Sequence, residues 1–438
     1  MTKLKPYPEY KASGVDWLDE IPVTWGVVPL MSCVVESRLR NSKLLERNLL
    51  SLSYGRIVPK NIDTNDGLLP ESFDSYQIVQ PNDVVFRLTD LQNDKRSLRS
   101  ALVGERGIIT SAYLAVTPRF INPKFLAYAM RDTDHRKVFY AMGGGLRQSM
   151  NYADMRRLPT LLPSPSEQAS IATFLDRETA QIDAFIADQE ELIGLLAERR
   201  AATISHAVTK GLDQGVHIEQ TTSAWFPKLP VHWALIPVGL GAALIQTGPF
   251  GSQLHSEEYV MGGVPLINPM HIVDGQIKPS PTMSVTQAKA AELSRHALRI
   301  GDVIVARRGE LGRCAVTSSE SLGSLCGTGS AIIRLSRDRF VPEYFQLVFS
   351  SEHARNALLQ YSIGSTMDNL NADVVSSLRV PCPPMIEQQK IVDFLGHETA
   401  ELDAATADAR AAVALSRERR AALISAAVTG KIDVRSAA

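Results

Sequence analysis

The sequence predicts an α+β protein with two globular domains and two long helices that pack on each other, related by an internal repeat. Residues 167–213 recur as residues 387–433 without a gap, and 24 of the 47 aligned positions are identical. A shorter pattern, W-x4-P-V-x-W-x3-P, begins at Trp17 and again at Trp225. The stretches between these repeats carry short apolar runs and differ from each other. A repeat at this period indicates a duplicated architecture.

The longer repeat predicts a helix in each copy, because it is rich in Ala, Leu, Glu and Arg and has no internal proline. Helices of roughly 40 residues would be about 60 Å long. Neither could bury its apolar stripe alone, so mutual packing is favoured; the alternative is that each helix docks on its own neighbouring domain. The stripe is expected at coiled-coil spacing on Ile171, Leu175, Ile182, Phe185, Leu192 and Leu196, and on Ile391, Leu395 and Leu402.

The globular segments predict mixed strands and helices in a similar order. The first has strand-like runs at 83–88, 107–110 and 112–116 and a helix at 123–131; the second has runs at 302–307 and 331–335 and a helix at 342–349. Residues 83–87 and 302–307 hold equivalent places. The predicted domains are 1–160, 161–213 (first helix), 214–380 and 381–438 (second helix), with extended tryptophan segments at 17–30 and 225–238.

Charge separates the globular segments from the helices. Residues 26–160 carry 19 Lys and Arg against 13 Asp and Glu, and residues 234–380 carry 12 of each. The repeated helices carry 4 against 9 and 6 against 8. Acidic helices are poor partners for phosphates, so they are expected to be spacers or protein-binding surfaces.

Bulk features indicate a cytoplasmic protein. No apolar run reaches membrane-spanning length, and the first ten residues lack the apolar core of a signal peptide. The four cysteines show no metal-ligand spacing and are expected to be reduced.

Catalytic motifs are absent from the sequence: it has no GxxxxGK[ST] loop, no GxGxxG after a strand, no GxSxG and no HExxH. Loops rich in Gly, Ser and Arg instead favour binding. Arginine can bind guanine edges and Gln or Asn can bind adenine, while glycines let backbone amides approach phosphates. The alternative is that these loops are surface turns with solvated charges. No catalytic or metal-binding residue is predicted, and the candidate DNA contacts are Arg56, Arg87, Lys95, Arg96, Arg99, Arg147, Gln148, Ser252, Gln253, Arg307, Arg308, Arg313 and Asn369.

These motifs together resemble the specificity subunit of type I restriction-modification systems, over essentially the whole chain. The resemblance lies in the tryptophan segments, Gly-Pro-Phe-Gly-Ser at 248–252, and the stretches at 301–313, 370–373 and 381–389. Residues 48–56 and 86–96 look like one recurring type of target recognition domain.

The resemblance implies a non-catalytic subunit. Each globular segment would be a target recognition domain that reads half of a bipartite sequence in double-stranded DNA. The helices would form an antiparallel coiled coil that sets the gap between half-sites and docks two methyltransferase subunits, which restriction subunits would join. S-adenosylmethionine, ATP and Mg would belong to those partners.

Two other interpretations remain at this point. A self-contained nuclease or methyltransferase with duplicated domains would modify DNA alone when given its cofactors. A helical scaffold that never touches DNA would leave the mobility of DNA unchanged even with a methyltransferase partner present.

Overall fold

A computed structural model describes residues 5–42, 45–62, 72–93, 97–142, 149–362 and 370–435. The chain forms two compact units. The first unit contains the residues up to Glu190 and those from Arg410 onward, and the second contains Glu191–Ala409. This grouping divides both long helices near their middle, so the four consecutive domains expected from the sequence stay a prediction.

The first unit is built from short strands and helices. Its strands are β1 Tyr10–Val15, β2 Leu18–Pro22, β3 Gly26–Pro29, β4 Val34–Glu36, β5 Leu49–Ser53, β6 Arg56–Lys60, β7 Gln77–Val79, β8 Val84–Phe86, β9 Ser100–Leu102, β10 Gly107–Ile109, β11 Leu114–Pro118 and β12 Pro159–Leu162. Its short helices are α1 Pro123–His135, α2 Val138–Met142 and α3 Tyr152–Met155. Asn122 starts α1, because its side chain accepts hydrogen bonds from the backbone amides of Lys124 and Phe125.

The two long helices are confirmed. They are α4 Pro165–Lys210, of 46 residues, and α10 Met385–Val428, of 44 residues. At 1.5 Å per residue they are about 69 and 66 Å long. Each helix contributes one half to each compact unit.

The second unit has a similar composition of elements. Its strands are β13 Ile218–Gln220, β14 Lys228–Pro230, β15 Ala234–Pro237, β16 Ala242–Thr247, β17 Tyr259–Val260, β18 Val264–Ile267, β19 Ile272–Val273, β20 Gln276–Ile277, β21 Ser284–Val285, β22 Val303–Ala306, β23 Cys314–Val316, β24 Leu325–Cys326, β25 Ser330–Leu335 and β26 Arg379–Cys382. Its short helices are α5 Val238–Gly241, α6 Gln287–Glu292, α7 Pro342–Ser350, α8 Glu352–Ser362 and α9 Ala372–Ser377.

Each unit contains a four-stranded antiparallel sheet of the same topology. The strand order is β4-β11-β8-β9 in the first unit and β16-β25-β22-β23 in the second. The predicted equivalence of residues 83–87 and 302–307 is therefore confirmed, since β8 and β22 are both third in their sheets. Both strands are fully buried, which explains their continuous apolar sequence.

The tryptophan segments pair with the strands that lead into the long helices. In the first unit β3 runs antiparallel to β12, and in the second β15 runs antiparallel to β26. The indole Nε1 of Trp25 donates to Glu167 Oε1 at 3.3 Å, and that of Trp233 donates to Glu387 Oε1 at 3.1 Å. These tryptophans therefore anchor the start of each helix.

A buried glutamine follows each of these glutamates and holds the next element. The Oε1 of Gln168 accepts from the Asn122 amide at 2.7 Å, and its Nε2 donates to the Pro163 carbonyl at 2.9 Å. Gln388 repeats this arrangement, accepting from the Val341 amide at 2.8 Å and donating to the Pro383 carbonyl at 2.9 Å. The shared sequence Glu-Gln thus encodes a repeated set of contacts.

The long helices are antiparallel within each unit. In the first unit Arg420 forms two hydrogen bonds with Asp183, at 2.8 and 3.1 Å, and Arg417 Nη2 lies 2.6 Å from Glu190 Oε1. Position numbers rise on α4 as they fall on α10, which is the antiparallel sense. In the second unit Arg200 Nε contacts Asp403 Oδ1 at 3.0 Å.

The predicted apolar stripe is only partly right. Ile171, Leu175 and Ile182 are buried as expected, but Phe185 and Leu192 are exposed by 44% and 40%. The stripe passes through Ile186 instead, which packs with Val413. A straight α-helix has 3.6 residues per turn, so side chains at a strict seven-residue spacing move gradually away from the buried face. Ile391, Leu395 and Leu402 are buried as predicted.

Among the described residues, no helix is both long and apolar enough to cross a membrane. The cores of the two units are separate sets of side chains. The large aromatic residues Trp25, Phe86 and Phe125 are buried in the first unit, and Tyr344, Phe345 and Phe349 in the second.

Candidate nucleic-acid interface

In the second unit, four loops are held against one another. Each carries predicted DNA contacts or lies beside a loop that does. The first is the loop at 248–254, whose Gly248 amide donates to the Ser330 carbonyl at 2.9 Å. A Cβ on Gly248 would overlap the backbone carbonyl of Gly327. Position 248 therefore requires glycine, because two segments of the backbone approach each other closely there.

The turn at 268–271 joins this cluster through Asn268. The Asn268 Oδ1 accepts from the Gly329 amide at 3.1 Å, and a Cβ on Gly327 would overlap the Asn268 side chain. Three loops are thus tied together by backbone hydrogen bonds and by the Asn268 side chain. The strands beside them contribute Ile267, Cys326 and Ile332 to a buried apolar cluster.

The arginine-rich loop at 307–313 completes the cluster, and its three predicted arginines have different environments. Arg307 is buried; its Nε donates to the Leu370 carbonyl at 2.6 Å, and burial lowers the pKa of its guanidinium. Arg313 Nη1 donates to the Pro269 carbonyl at 3.2 Å, and its Nη2 lies 2.5 Å from Glu310 Oε2. Arg308 is exposed. Arg307 therefore has a structural role, whereas Arg308 presents its guanidinium to solvent.

The remaining predicted residues of this cluster are near its surface. Ser252 is exposed, and the half-buried Gln253 accepts from Arg295 Nη2 at 3.4 Å. Phe250 and Met270 are apolar but exposed by 58% and 66%. The cluster thus offers hydroxyl, amide, guanidinium and apolar groups on a fixed backbone, the set that contacts base edges and phosphates.

The first unit has an equivalent loop after β8. The Met150 amide donates to the Leu88 carbonyl at 2.9 Å, matching the Leu370 amide and Arg307 carbonyl at 3.0 Å in the second unit. Arg87, next to Leu88, is half-buried. In each unit, a backbone hydrogen bond therefore joins the segment after β8 or β22 to the segment before the last short helix, α3 or α9.

Arg99 does not face solvent. It is completely buried, and its guanidinium donates to the carbonyls of Thr89 and Asp90 at 3.2 and 3.4 Å. Its backbone amide donates to Asp134 at 2.6 Å, and burial raises the pKa of that carboxyl. The sequence signal was the same for Arg99 as for a surface arginine, and only packing distinguishes them. Arg99 shapes the loop from within.

Arg56 lies at the start of β6 with its side chain 73% exposed, and its Nη2 is 3.5 Å from Asp183 Oδ2. Five predicted contacts lie outside the described residues: Lys95, Arg96, Arg147, Gln148 and Asn369. The described members are brought together in part, since Ser252, Gln253, Arg308 and Arg313 lie on one loop cluster.

Two members of the cluster were missed by sequence reasoning. Asn268 organises the backbone and Arg295 contacts Gln253, yet neither lies in a glycine-rich stretch. The Asn-Pro pair at 268–269 was the available signal, because it is typical of a turn.

One group of described residues could present three ligand atoms to a metal, namely His397, Glu398 and Glu401 on α10. These atoms lie within 4.8 Å of one another, and His397 and Glu401 are exposed. Exposed groups of this kind are common without an ion, and we assign no metal to them.

Comparison with known proteins gives a consistent result. The family model described as type I restriction modification DNA specificity domain matches residues 251–407. The EcoKI specificity subunit of Escherichia coli K12 is 24% identical over 388 residues, covering 86% of this chain and 77% of that protein. The EcoDI specificity subunit of Escherichia coli is 23% identical over 364 residues and covers 78% of each chain. Over most of its length this chain is therefore similar to type I restriction enzyme specificity subunits.

A solved chain shares the fold of this protein. It comes from a study of complex assembly and conformational transition of the type I R-M system, and it aligns with a TM-score of 0.69 at 17% identity. The alignment covers 94% of this chain and 99% of that one. Together these similarities support a DNA sequence-specificity subunit of a type I restriction-modification system.

Proposed function

We propose that this chain is a DNA-specificity subunit and that each of its compact units reads one half of a bipartite DNA target. The observation that carries the proposal is the repeated frame. Sheet order, tryptophan anchors and helix-start glutamines are the same in both units, whereas the loops mounted on them differ. A fixed frame with two different sets of loops suits two different half-sites.

In the second unit, the reading surface is proposed to be the cluster around Arg308, with Ser252, Gln253 and Arg313 beside it. Arg308 is the exposed arginine of the loop, and its neighbours fix the backbone on both sides. A guanidinium held in this way can bind a guanine edge through two hydrogen bonds. In the first unit we assign the same role to Arg56 and Arg87.

We propose that the paired helices set the gap between the half-sites. Both helices are continuous, and their antiparallel pairing is held by Arg–Asp pairs at equivalent places, Arg420 with Asp183 and Arg200 with Asp403. A helix can fix a distance because it rises by a constant 1.5 Å per residue. Their acidic charge makes phosphate contact unfavourable.

We further propose that the acidic outer faces of the helices dock two methyltransferase subunits, which restriction subunits join. S-adenosylmethionine, ATP and Mg would then belong to those partners. Support comes from the relatives, which are named as subunits of type I restriction enzymes, and from the excess of acidic over basic residues in the helices.

The half-site proposal is tested with Arg308→Ala, using Arg337→Ala as the control, since Arg337 is also exposed in the second unit but lies after β25. In the complex with its methyltransferase partner, Arg308→Ala should weaken binding of the target duplex about 10-fold or more. Sequencing of methylated bases should show a relaxed requirement in one half-site only. Loss of specificity in both half-sites, or in neither, would contradict the assignment.

The gap proposal is tested by deleting residues 187–193 together with residues 410–416. Seven residues are about two turns, so the facing sides are kept to within about 20°, and the Asp183–Arg420 and Arg200–Asp403 pairs remain. The helices shorten by about 10.5 Å, or about three base pairs at 3.4 Å each.

The methylated motif of the deletion variant should keep both half-sites and lose about three base pairs of gap. Inserting seven residues at the same places should lengthen the gap by the same amount. An unchanged gap in both variants would refute the role of the helices. A complex that leaves the mobility of DNA unchanged would favour the helical scaffold instead.

A further inference from the structure

The first unit contains a cavity of about 480 Å³, and of its lining residues only Arg56 is among the DNA contacts proposed above. It lies among the β5–β6 hairpin, the turn between β9 and β10, helix α1, and the parts of α4 and α10 that belong to this unit. Its apolar wall is formed by Ile57, Leu102, Ala127 and Ile424. Its polar wall contains Arg56, Lys124, Tyr128, Arg131, Asp176 and Arg420.

Arg131 is the unusual member of the polar wall. Its Nη2 donates to the carbonyls of Gly55 and Ser100, at 2.5 and 2.9 Å. Its buried Nε has no hydrogen-bond partner in the described part of the chain. No carboxylate there lies within ion-pair distance of it. Burial, followed by the charge of Arg420, lowers the pKa of Arg131 to about 10. The charge of Asp134 acts in the opposite direction, from beyond ion-pair distance.

The other cations of the cavity have partners. Arg420 forms two hydrogen bonds with Asp183, and Lys124 Nζ lies 2.6 Å from Asp176 Oδ2. Tyr128 donates its hydroxyl to Asp176 at 2.9 Å. Arg56 lies 3.5 Å from Asp183, which is outside the cavity lining. The lining itself carries four cations and two carboxylates, Glu105 and Asp176. Of these cations, Arg131 has no carboxylate at ion-pair distance among the described residues.

The repeated frame does not require these charges. Helices α1 and α7 align through the residues that precede them, Asn122 and Val341, since both donate to a helix-start glutamine. On this alignment Arg131 corresponds to Ser350 and Tyr128 to Leu347. The offset of the long repeat likewise places a glycine, at 396, opposite Asp176. The second unit keeps the frame without these groups, so their role is not to hold it together.

We propose that this cavity binds a small organic phosphate, with the phosphate on Arg131 and its apolar body against Ile57, Leu102 and Ile424. The volume lies in the range of small-molecule sites. A planar guanidinium that lines the cavity and has no carboxylate at ion-pair distance suits phosphate oxygens. A second source of the same chemistry is a backbone phosphate of DNA, and the experiment separates the two. The proposal does not rest on the half-site assignments.

The probes are AMP, inorganic phosphate and adenosine, titrated into the full chain by calorimetry. AMP should bind at least 10-fold more tightly than phosphate or adenosine alone, because it occupies both walls. Equal binding of AMP and phosphate would overturn the proposal, since the apolar wall would then contribute nothing. Absence of AMP binding up to millimolar concentration would overturn it as well.

Two variants locate the binding. Ala127→Leu fills the cavity without removing a hydrogen bond, and Arg131→Gln removes the charge. Both should weaken AMP binding at least 10-fold, whereas Ala141→Leu, on the exposed end of α2, should leave it unchanged. Because Arg131 also holds the hairpin at Gly55, Ala127→Leu is the deciding variant.

DNA is the final arm of the test. Target duplex binding should be the same in Ala127→Leu and the unaltered chain, and duplex should not displace AMP. Displacement of AMP by duplex, together with weaker duplex binding by Ala127→Leu, would assign the phosphate to the DNA backbone and refute a small-molecule site.

Discussion

The buried glutamine at the start of α10 should be a main determinant of stability in the second unit. Gln388 is fully buried, and its side chain makes three bonds to backbone groups: it accepts from the Val341 amide at 2.8 Å and donates to the carbonyls of Arg339 and Pro383 at 2.8 and 2.9 Å. Gln388→Ala leaves those groups buried without partners. At about 1–3 kcal/mol for each unsatisfied group, with carbonyls at the lower end, we expect a loss of about 3–5 kcal/mol.

Native-state hydrogen exchange measures this loss by segment. Amides of β22 and β25 should lose protection by a factor of about 100 or more, since 1.4 kcal/mol is tenfold, while β8 and β11 of the first unit should change little. Gln389→Ala is the matched control, because Gln389 is the next residue, is exposed, and bonds only to Asp393 among the contacts described. Equal protection in the two variants would refute the reasoning that Gln388 fastens α7 to α10.

Three further predictions follow from burial and close packing. Arg99→Ala should destabilise the first unit by about 2–4 kcal/mol in hydrogen exchange, because it removes buried hydrogen bonds to two carbonyls; unchanged protection would contradict its structural assignment. Gly248→Ala should abolish recognition of one half-site in the methylation pattern, because the added Cβ overlaps Gly327, whereas Gly396→Ala, with open space around it, should not. Burial and the neighbouring Arg295 lower the pKa of His296 to about 4. Between pH about 6.5 and 4 the unfolded chain therefore binds more protons than the folded chain, and the second unit should lose stability as pH falls. In thermal melts, His296→Gln should reduce this dependence of stability on pH.

The long helices and the duplication could be predicted from sequence because they depend on local composition and on identity at a fixed offset. Sequence patterns also located β8 and β22, since short runs of β-branched residues between polar turns leave few alternatives. The resemblance to specificity subunits rested on several motifs in order, and the comparisons confirm it.

The environments of the arginines could not be predicted. Arg99, Arg307 and Arg308 occur in similar glycine- and serine-containing stretches, yet the first two are buried and the third is exposed. Burial depends on which backbone carbonyls lie nearby, and those come from Thr89, Asp90 and Leu370. The last of these is far along the chain from Arg307, so no local pattern reports it.

The sequence by itself determined that the chain is a twofold repeat with two long helices, because helix propensity and repeated letters are properties of neighbouring residues. Tertiary structure decided the rest. The apolar stripe includes Ile186 rather than Phe185. The helical repeat of 3.6 residues per turn determines which side chains face the partner helix. Tertiary structure also left Arg131 without a carboxylate beside a cavity, a property of assembled walls that no single segment contains.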